Sequence, residues 1–530
     1  MPAPLYFQPA PALPPLAPPV SVDLCIYGAN AAGVMAAVQA RRLGLTVALL
    51  NPAQQIGGLT TGGLSFTDFG NKAAIGGLAR EFYRRVGQHY GKAEEWCFEP
   101  HVAELTLAAF LTEAGVTVQP GQYVDSANVT LDPAGAPRLT EIKTTSGYRV
   151  RAAYFIDCSY EGDLLARAGV SFNVGREAST LHGEVFNGQQ VCATHQFDRP
   201  IDPYVVPGNP TSGPLPGIDP NANFLPGSGD RRVQAYNFRV CMTQRPEIRV
   251  PFPQPAGYQR ADYELLARWL AAGGGRQAFN KFDRIQGDKT DTNNHGAFST
   301  DFIGGSWNWP EASYAEREKI FQAHITYQQG YHWFMANDEA VPAEIRTAYA
   351  QWGLASDELT ATGHWPHQLY IREARRLAAE VTTTQRHCFG LTVEDDAIAL
   401  GAYGMDSHNC RRFIHQGTVL NEGDVQVKLP RPYGISYRSI TPKVKECANL
   451  LVPVCAGATH IAYGSLRMEP VFMILAQSAA TAAALALRAG GLAVQHLTYA
   501  DLRAQLLRDG QILDLNPGHL NPVSGNESPE

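Results

Sequence analysis

At 530 residues the chain exceeds what one compact core usually holds, so two domains, or one domain with a large insertion, are expected. Hydrophobic residues at 45% against charged residues at 18% supply a large core and exclude a disordered or fibrous chain. The 43 basic and 50 acidic side chains leave a net charge of -7 without a basic run, so no field for nucleic acid or an anionic membrane exists.

Residues 1–21 form a Pro/Ala-rich leader without charged side chains up to Val20. Prolines interrupt the apolar stretch that a secretory signal needs, so the segment reads as extended and weakly ordered. The run Val22–Tyr27 then predicts a short buried strand of a parallel sheet. Gly28-x-Asn30-x-x-Gly33 follows, an alanine-rich helix runs to Leu43, Gly44 ends it, and Leu45–Leu50 returns as a strand. A glycine-dense stretch fills Ile56–Gly77, with helical patterns over Leu78–Tyr90 and His101–Ala114. Short β-like segments with hairpin signals occupy Val116–Val150, and Ala153–Asp157 closes this part as a strand.

From about Val170 to Pro430 the βα alternation gives way to aromatic, Pro, Asn and His residues, the texture of long functional loops. It returns at Asn449–Cys455 and Pro470–Arg488. The expected architecture is therefore α/β: a discontinuous Rossmann-type domain (22–170 plus 435–515), a large inserted α+β substrate domain (171–434) and a 516–530 tail. Pro470–Leu487 is apolar enough for a membrane, yet Gln477, Ser478, Thr481 and many alanines suit a helix packed inside a domain. The chain reads as cytoplasmic, without membrane or nucleic-acid partners. Its nine cysteines include no Cys-x-x-Cys pair, which argues against a disulfide framework, a zinc site or a ligated iron–sulfur cluster.

The strongest local motif is Gly28-x-Asn30-x-x-Gly33 between strand and helix. Gly28 permits the tight turn, Gly33 the close helix–strand approach, and the helix N-terminus from Ala31 offers N–H groups to a pyrophosphate. Asn30 replaces the usual middle glycine and either crowds the phosphates or donates to them. Asn51 stands where a ribose-binding acid is expected and can still bond a hydroxyl. The second glycine loop, Gln55-Ile-Gly57-Gly58-Leu59-Thr-Thr-Gly62-Gly63, separates flavin from nicotinamide, because its backbone can lie along an extended FAD. Val124, the turn at Cys158-Ser159 and the helix start Met468-Glu469-Pro470 complete the candidate FAD contacts. A helix N-terminus aimed at the isoalloxazine C2=O would stabilise reduced flavin.

These stretches resemble the FAD-dependent oxidoreductase family whose flavin half is related to heterodisulfide reductase A-like flavoproteins. The likeness runs from about Val22 to Leu513 and is carried by Tyr27–Gly33, Ile56–Gly58, Thr67–Gly70, Ile75–Tyr83 and Phe98–His101. Ile156–Asp163, Lys289–Gly296, Trp365–Arg375, Met405–His408 and His460–Pro470 carry the rest. The resemblance implies bound FAD and a two-domain, glutathione-reductase-like architecture. The missing cysteine ligands depart from the iron–sulfur members.

For catalysis, His460 precedes the flavin-facing helix and its ordinary pKa suits proton transfer near neutral pH. Arg467 can face the flavin N1–C2=O locus, or pair with Glu469 or Glu161. His364 and His367 have metal-like spacing, but Pro366 breaks a helical presentation and no metal is expected. Arg372 opens a charged run, Arg372–Arg376, that usually forms a solvated helix face, although Arg372 can reach an anionic group. Trp307, Trp309 and Trp365 are either core or a sugar-stacking wall. The expected activity is hydride transfer between a small polar, carbohydrate-like substrate and flavin N5. The alternatives are an NAD(P)H-dependent flavoprotein reductase, for which no second glycine fingerprint exists, and a non-enzymatic flavin-binding protein.

Overall fold

The computed structural model describes residues 4–14, 17–275 and 281–514, so the 516–530 tail lies outside the described residues. The first unit is β1 (Val20–Tyr27), α1 (Ala31–Arg42) and β2 (Val47–Leu50), with β1 and β2 parallel and Tyr27 opposite Leu50. Residues 31–40 of α1 are all buried, which its alanines and Gly33 permit by letting backbones approach closely. There follow α2 (Gly77–His89), α3 (Pro100–Ala114), β3 (Val118–Gln119), β4 (Val124–Leu131), β5 (Pro137–Thr144), β6 (Arg149–Asp157) and α4 (Asp163–Arg167).

The main sheet has the order β3-β2-β1-β6-β5-β4. Its β3, β2, β1 and β6 strands are parallel, and β5 and β4 continue it antiparallel. Side chains alternate as the pleat demands: Leu24 and Ile26 join one apolar cluster with α1, whereas Cys25 and Tyr27 join a second on the opposite face. Burial on both faces explains the apolar run Leu24–Tyr27 that ends β1. The strand predicted over Asn449–Cys455 shortens to Leu450–Leu451, which pairs with Phe155 and Ile156 of β6. Beyond it Val452 gives its N–H to Ile440, and Pro453 has none to give.

The helix Glu469–Arg488 is long and apolar enough to cross a membrane, and 89% of its apolar window is buried inside the protein. It packs on α1 and α2, and its polar side chains are answered there. Gln39 Nε2 donates to Thr481 Oγ1 at 2.9 Å, and Gln477 Oε1 accepts from Leu78 N at 2.9 Å. In the middle of the chain the strands are antiparallel, in the order Asp283–Ile285, Lys289–Thr292, Val240–Thr243, Gly353–Ala355, Arg249–Val250. The long helix Tyr314–Asn337, started by a Ser313/Glu316 capping box, packs in this part. The described leader residues 4–14 depart from the weak order expected of them, with Ala10 N donating to Gly121 O at 2.9 Å and Leu13 N to Ser146 O at 2.8 Å.

A Cβ added at Gly33 would sit 1.8 Å from the Gly28 carbonyl oxygen. Gly33→Ala should therefore lower stability by about 3 kcal/mol or prevent folding, since backbone cannot yield as a side-chain tip can. A denaturant midpoint equal to that of the wild type would refute this account of the α1–β1 crossing.

Candidate active site

Because β1, β2 and β6 are parallel, their carboxyl ends bring three loops to one edge of the sheet. Residues from all three, Gly28, Asn30, Asn51, Gln54, Gln55, Gly58, Ser159 and Tyr160, line a cleft of about 680 Å³. Gly28 has φ +101°, and a Cβ there would come within 2.9 Å of the Cys158 carbonyl carbon. At Gly58, φ +57°, a Cβ would meet Tyr160 Oη at 2.6 Å and Asn30 Cβ at 2.7 Å. The cleft thus depends on bare backbone.

Asn30 neither crowds the cleft nor reaches into it as a free donor. Its Oδ1 caps α1 by accepting from Gly33 N at 3.0 Å, and its Nδ2 donates to Cys158 O at 2.6 Å. Ala31 and Ala32, in the first turn of α1, have no intrahelical acceptor for their N–H groups, which suits an anion. Asn51 is likewise a structural clasp. Its Oδ1 accepts from Ala29 N at 3.0 Å, while Nδ2 donates to Ala53 O at 2.9 Å and Gln55 O at 2.8 Å. Both amide protons are engaged, so ribose donation falls to other groups. Val124 is fully buried and lines no part of the cleft; its neighbour Tyr123 does. Cys158 contributes backbone, its thiol being buried and its pKa pushed up by that burial.

The loop 57–63 separates this cleft from a second, narrower chamber. The chamber is lined by Leu59 and Thr60 from that loop, Asp68, Tyr83, Phe98, Tyr370, and Arg467, Met468, Glu469 and Pro470 at the start of the long buried helix. Gly57, Gly62 and Gly63 shape the loop; a Cβ at Gly63 would lie 1.8 Å from Arg239 O. Glu469 joins the two cavities. Its Oε2 accepts from Thr60 at 2.7 Å and its Oε1 from Tyr160 at 2.9 Å, while Tyr160 Oη accepts from Leu59 N at 3.0 Å. Burial pushes the Glu469 carboxyl up to about 7, against the two hydroxyl donors.

Behind the chamber the charged side chains close into a ring. Arg467 donates to Tyr370 Oη at 2.8 Å and to Asp406 O at 3.0 Å, rather than pairing with Glu469 or Glu161. His408 joins Asp301 at 2.7 Å and Asp406 at 3.5 Å, and Arg372 meets Asp301 at 3.0 Å. The Arg372 guanidinium lies 4.5 Å from the Tyr370 ring centroid, which completes the circuit. Two aspartates therefore diverge. Burial raises Asp68 against the pull of Arg239, whereas burial of Asp406 is overcome by His408, Arg467 and Arg372, which hold it below the usual carboxylate range.

The predicted catalytic set is only partly brought together. Arg467 lines the chamber and Arg372 stands behind it. His460 lines neither cavity: its Nδ1 faces both Glu373 oxygens, at 2.8 and 2.9 Å, and its Nε2 faces Ser407 Oγ at 2.9 Å. His364 is held by Glu358 O at 3.0 Å, apart from His367, which lines the cleft near Thr61. The Arg372–Arg376 run is no solvated helix face; it is extended and buried. Trp309 and Trp365 are buried core, and Trp307 donates to Cys410 O at 2.7 Å. Asp68, Tyr370 and Asp406 were not singled out in the sequence, although Thr67–Gly70, Trp365–Arg375 and Met405–His408 stood among the stretches carrying the resemblance.

The family profile described as FAD dependent oxidoreductase matches residues 23–506. No curated protein matches the chain. Among solved structures, Thermovibrio ammonificans THI4 is 21% identical over 31% of this chain and 71% of its own, with a TM-score of 0.23. A flavin monooxygenase from Stenotrophomonas maltophilia is 17% identical over 26% and 38%, TM-score 0.20. A 3-ketosteroid dehydrogenase from Rhodococcus jostii is 15% identical over 30% and 50%, TM-score 0.20. The match thus spans half or less of the last two chains.

The Glu469 carboxyl holds its proton more tightly in the folded chain than at its ordinary 4.5, so its contribution is complete below 4.5 and lost as pH rises through about 7. Relative to Glu469→Gln, the wild type should lose about 3 kcal/mol across that window. Denaturant melts of both proteins at pH 4.5 and 8 check this, and parallel pH profiles would contradict it.

Proposed function

The chain belongs to the FAD-dependent oxidoreductase family, and from that premise we propose that it oxidises a small polar, carbohydrate-like substrate held against the wall of the narrower chamber. FAD is its cofactor, and the residues present fit it: a bare-backbone cleft at the carboxyl ends of three parallel strands, with the start of α1 for the pyrophosphate. When bound, FAD would supply the two-electron acceptor for a substrate hydride. Everything else falls to side chains.

The observation that carries the reading is the composition of the chamber wall. Aromatic faces from Tyr83, Phe98 and Tyr370 stand beside acceptors on Asp68 and Glu469 and donors on Arg467 and Tyr370. A polyol needs this mixture, since each hydroxyl both donates and accepts while the C–H face packs on a ring. Arg467 Nε is buried without a partner among the described residues, leaving a charged donor for a substrate oxygen. We assign removal of the hydroxyl proton to Asp68 rather than to His460. Asp68 lines the chamber and its affinity for a proton is raised by burial, whereas both His460 ring nitrogens face protein partners. The ring through Asp301, His408 and Asp406 then holds Arg467 and Tyr370 in place without touching substrate.

The purified protein should be yellow, and under anaerobic conditions a panel of sugars and polyols should contain one that bleaches its flavin absorption. Asp68→Asn should slow that bleaching by on the order of a hundredfold or more with FAD content unchanged, the usual scale of a lost general base. An unaltered rate removes Asp68 from the proton step. Rapid bleaching by NADH or NADPH, with no response to any polyol, overturns the substrate assignment.

A further inference from the structure

The three loops that build the cofactor cleft supply only part of its wall. Leu5, Tyr6 and Gln8 of the leader line the same cavity as Gly28, Asn51, Gly58 and Ser159. We propose that residues 4–13 are a strap that completes the FAD site and sets how long the cofactor stays bound. The inference rests on FAD occupying that cleft.

The strap is fastened on both banks. On the side of the parallel sheet, Gln54 Nε2 donates to Gln8 O at 2.9 Å and Gln8 N donates to Tyr123 Oη at 3.0 Å. Tyr123 Oη in turn donates to Tyr6 O, and Ala10 N reaches Gly121 O at 2.9 Å. On the side of the helix Tyr314–Asn337, Phe7 N donates to Glu318 Oε2 at 2.7 Å and Gln322 Nε2 to Pro4 O at 2.9 Å. Arg317 Nη1 reaches Tyr6 Oη at 3.2 Å, and the same hydroxyl lies 3.4 Å from Glu161 Oε1 on the third cleft loop. Tyr6 packs edge-on to Trp309 with centroids 4.8 Å apart, and Phe7 stacks on Tyr314 at 5.6 Å and 6°.

A second feature belongs to the same fit. Gly121 has φ +68°, and a Cβ there would come within 2.6 Å of Ala10 N and 2.9 Å of Gln8 O, so the turn before β4 is bare where the strap crosses it. Pro9 and Pro11 keep the segment extended and lower the conformational entropy it loses on docking. Yet residues 4–14 belong to no helix or strand. They can detach as a unit while the sheet stays folded, at the cost of those hydrogen bonds and the ring contacts of Tyr6 and Phe7. Departure of a ligand from the cleft then requires that local opening, and its effect falls on the dissociation rate more than on association.

The test uses the full-length FAD-loaded protein beside FAD-loaded Tyr6→Ala/Phe7→Ala. Each is diluted and the released FAD followed by its fluorescence, with limited proteolysis reporting cleavage inside the leader. The substituted chain should release FAD faster by on the order of tenfold, with new cleavage in the leader and an unchanged circular dichroism spectrum. Should that chain misfold, Gly121→Ala presses on Ala10 from the opposite side, and the same acceleration is expected. Equal release rates from two loaded chains overturn the strap and leave the cofactor assignment standing. A wild-type chain that takes up no FAD overturns both.

Discussion

The site exists because the chain crosses itself where only a hydrogen atom fits. Gly33 against the Gly28 carbonyl brings α1 down on β1, and Gly28 against Cys158 brings the first and third loops together. Gly63 against the Arg239 carbonyl repeats the device further along and seats the loop 57–63 on the middle of the chain. That last contact is reinforced by charge. Asp291 receives Arg239 at 2.6 and 2.8 Å and also the backbone N–H groups of Ser65 and Phe66, each at 2.9 Å. The glycine-rich loop and the chamber are thereby held in one register, and a side chain at any of these glycines would separate them.

The buried ring of Arg372, Asp301, His408, Asp406 and Arg467 is no argument for stability in itself. Desolvating such charges costs about as much as their attraction returns, and removing one member leaves a partner buried and uncompensated. Its consequence is positional. Arg467 and Tyr370 cannot choose other rotamers while both are tied into the ring, so their donors arrive at the chamber already oriented. The same ring explains why two aspartates of one chamber region differ. Asp406 has cations on several sides and stays ionised, whereas Asp68 is dominated by burial and keeps its proton to higher pH.

What could be read in the sequence follows the range of the interactions involved. The strand–glycine–helix unit is local, and the strand, helix and strand read there are the elements the chain forms. Asn30 and Asn51 were visible as departures from a motif, but their roles depend on partners such as Cys158, which lies 128 residues from Asn30. His460 was attractive for its place before a helix, and the Glu373 and Ser407 that occupy its ring nitrogens are 87 and 53 residues away. The Arg372–Arg376 run carried the charge of a solvated helix, and only its distant carboxylates make burial affordable. The leader showed no periodicity, because its order comes from loop carbonyls and aromatic rings supplied by other segments.

Cleft and chamber are not independent, since they share Glu469 through one hydroxyl. Tyr160 lines the cleft and donates to Glu469, which lines the chamber. A ligand that displaces Tyr160 removes one of two donors to that carboxylate, and a carboxyl poised near 7 answers the loss by binding a proton. Linkage makes the effect reciprocal: whatever charges or neutralises Glu469 must alter affinity in the cleft by the same factor. The Leu59 N–H bonded to Tyr160 ties the loop 57–63 into the same network. A single hydrogen-bonded chain, Leu59 to Tyr160 to Glu469 to Thr60, thus connects the cleft to the chamber.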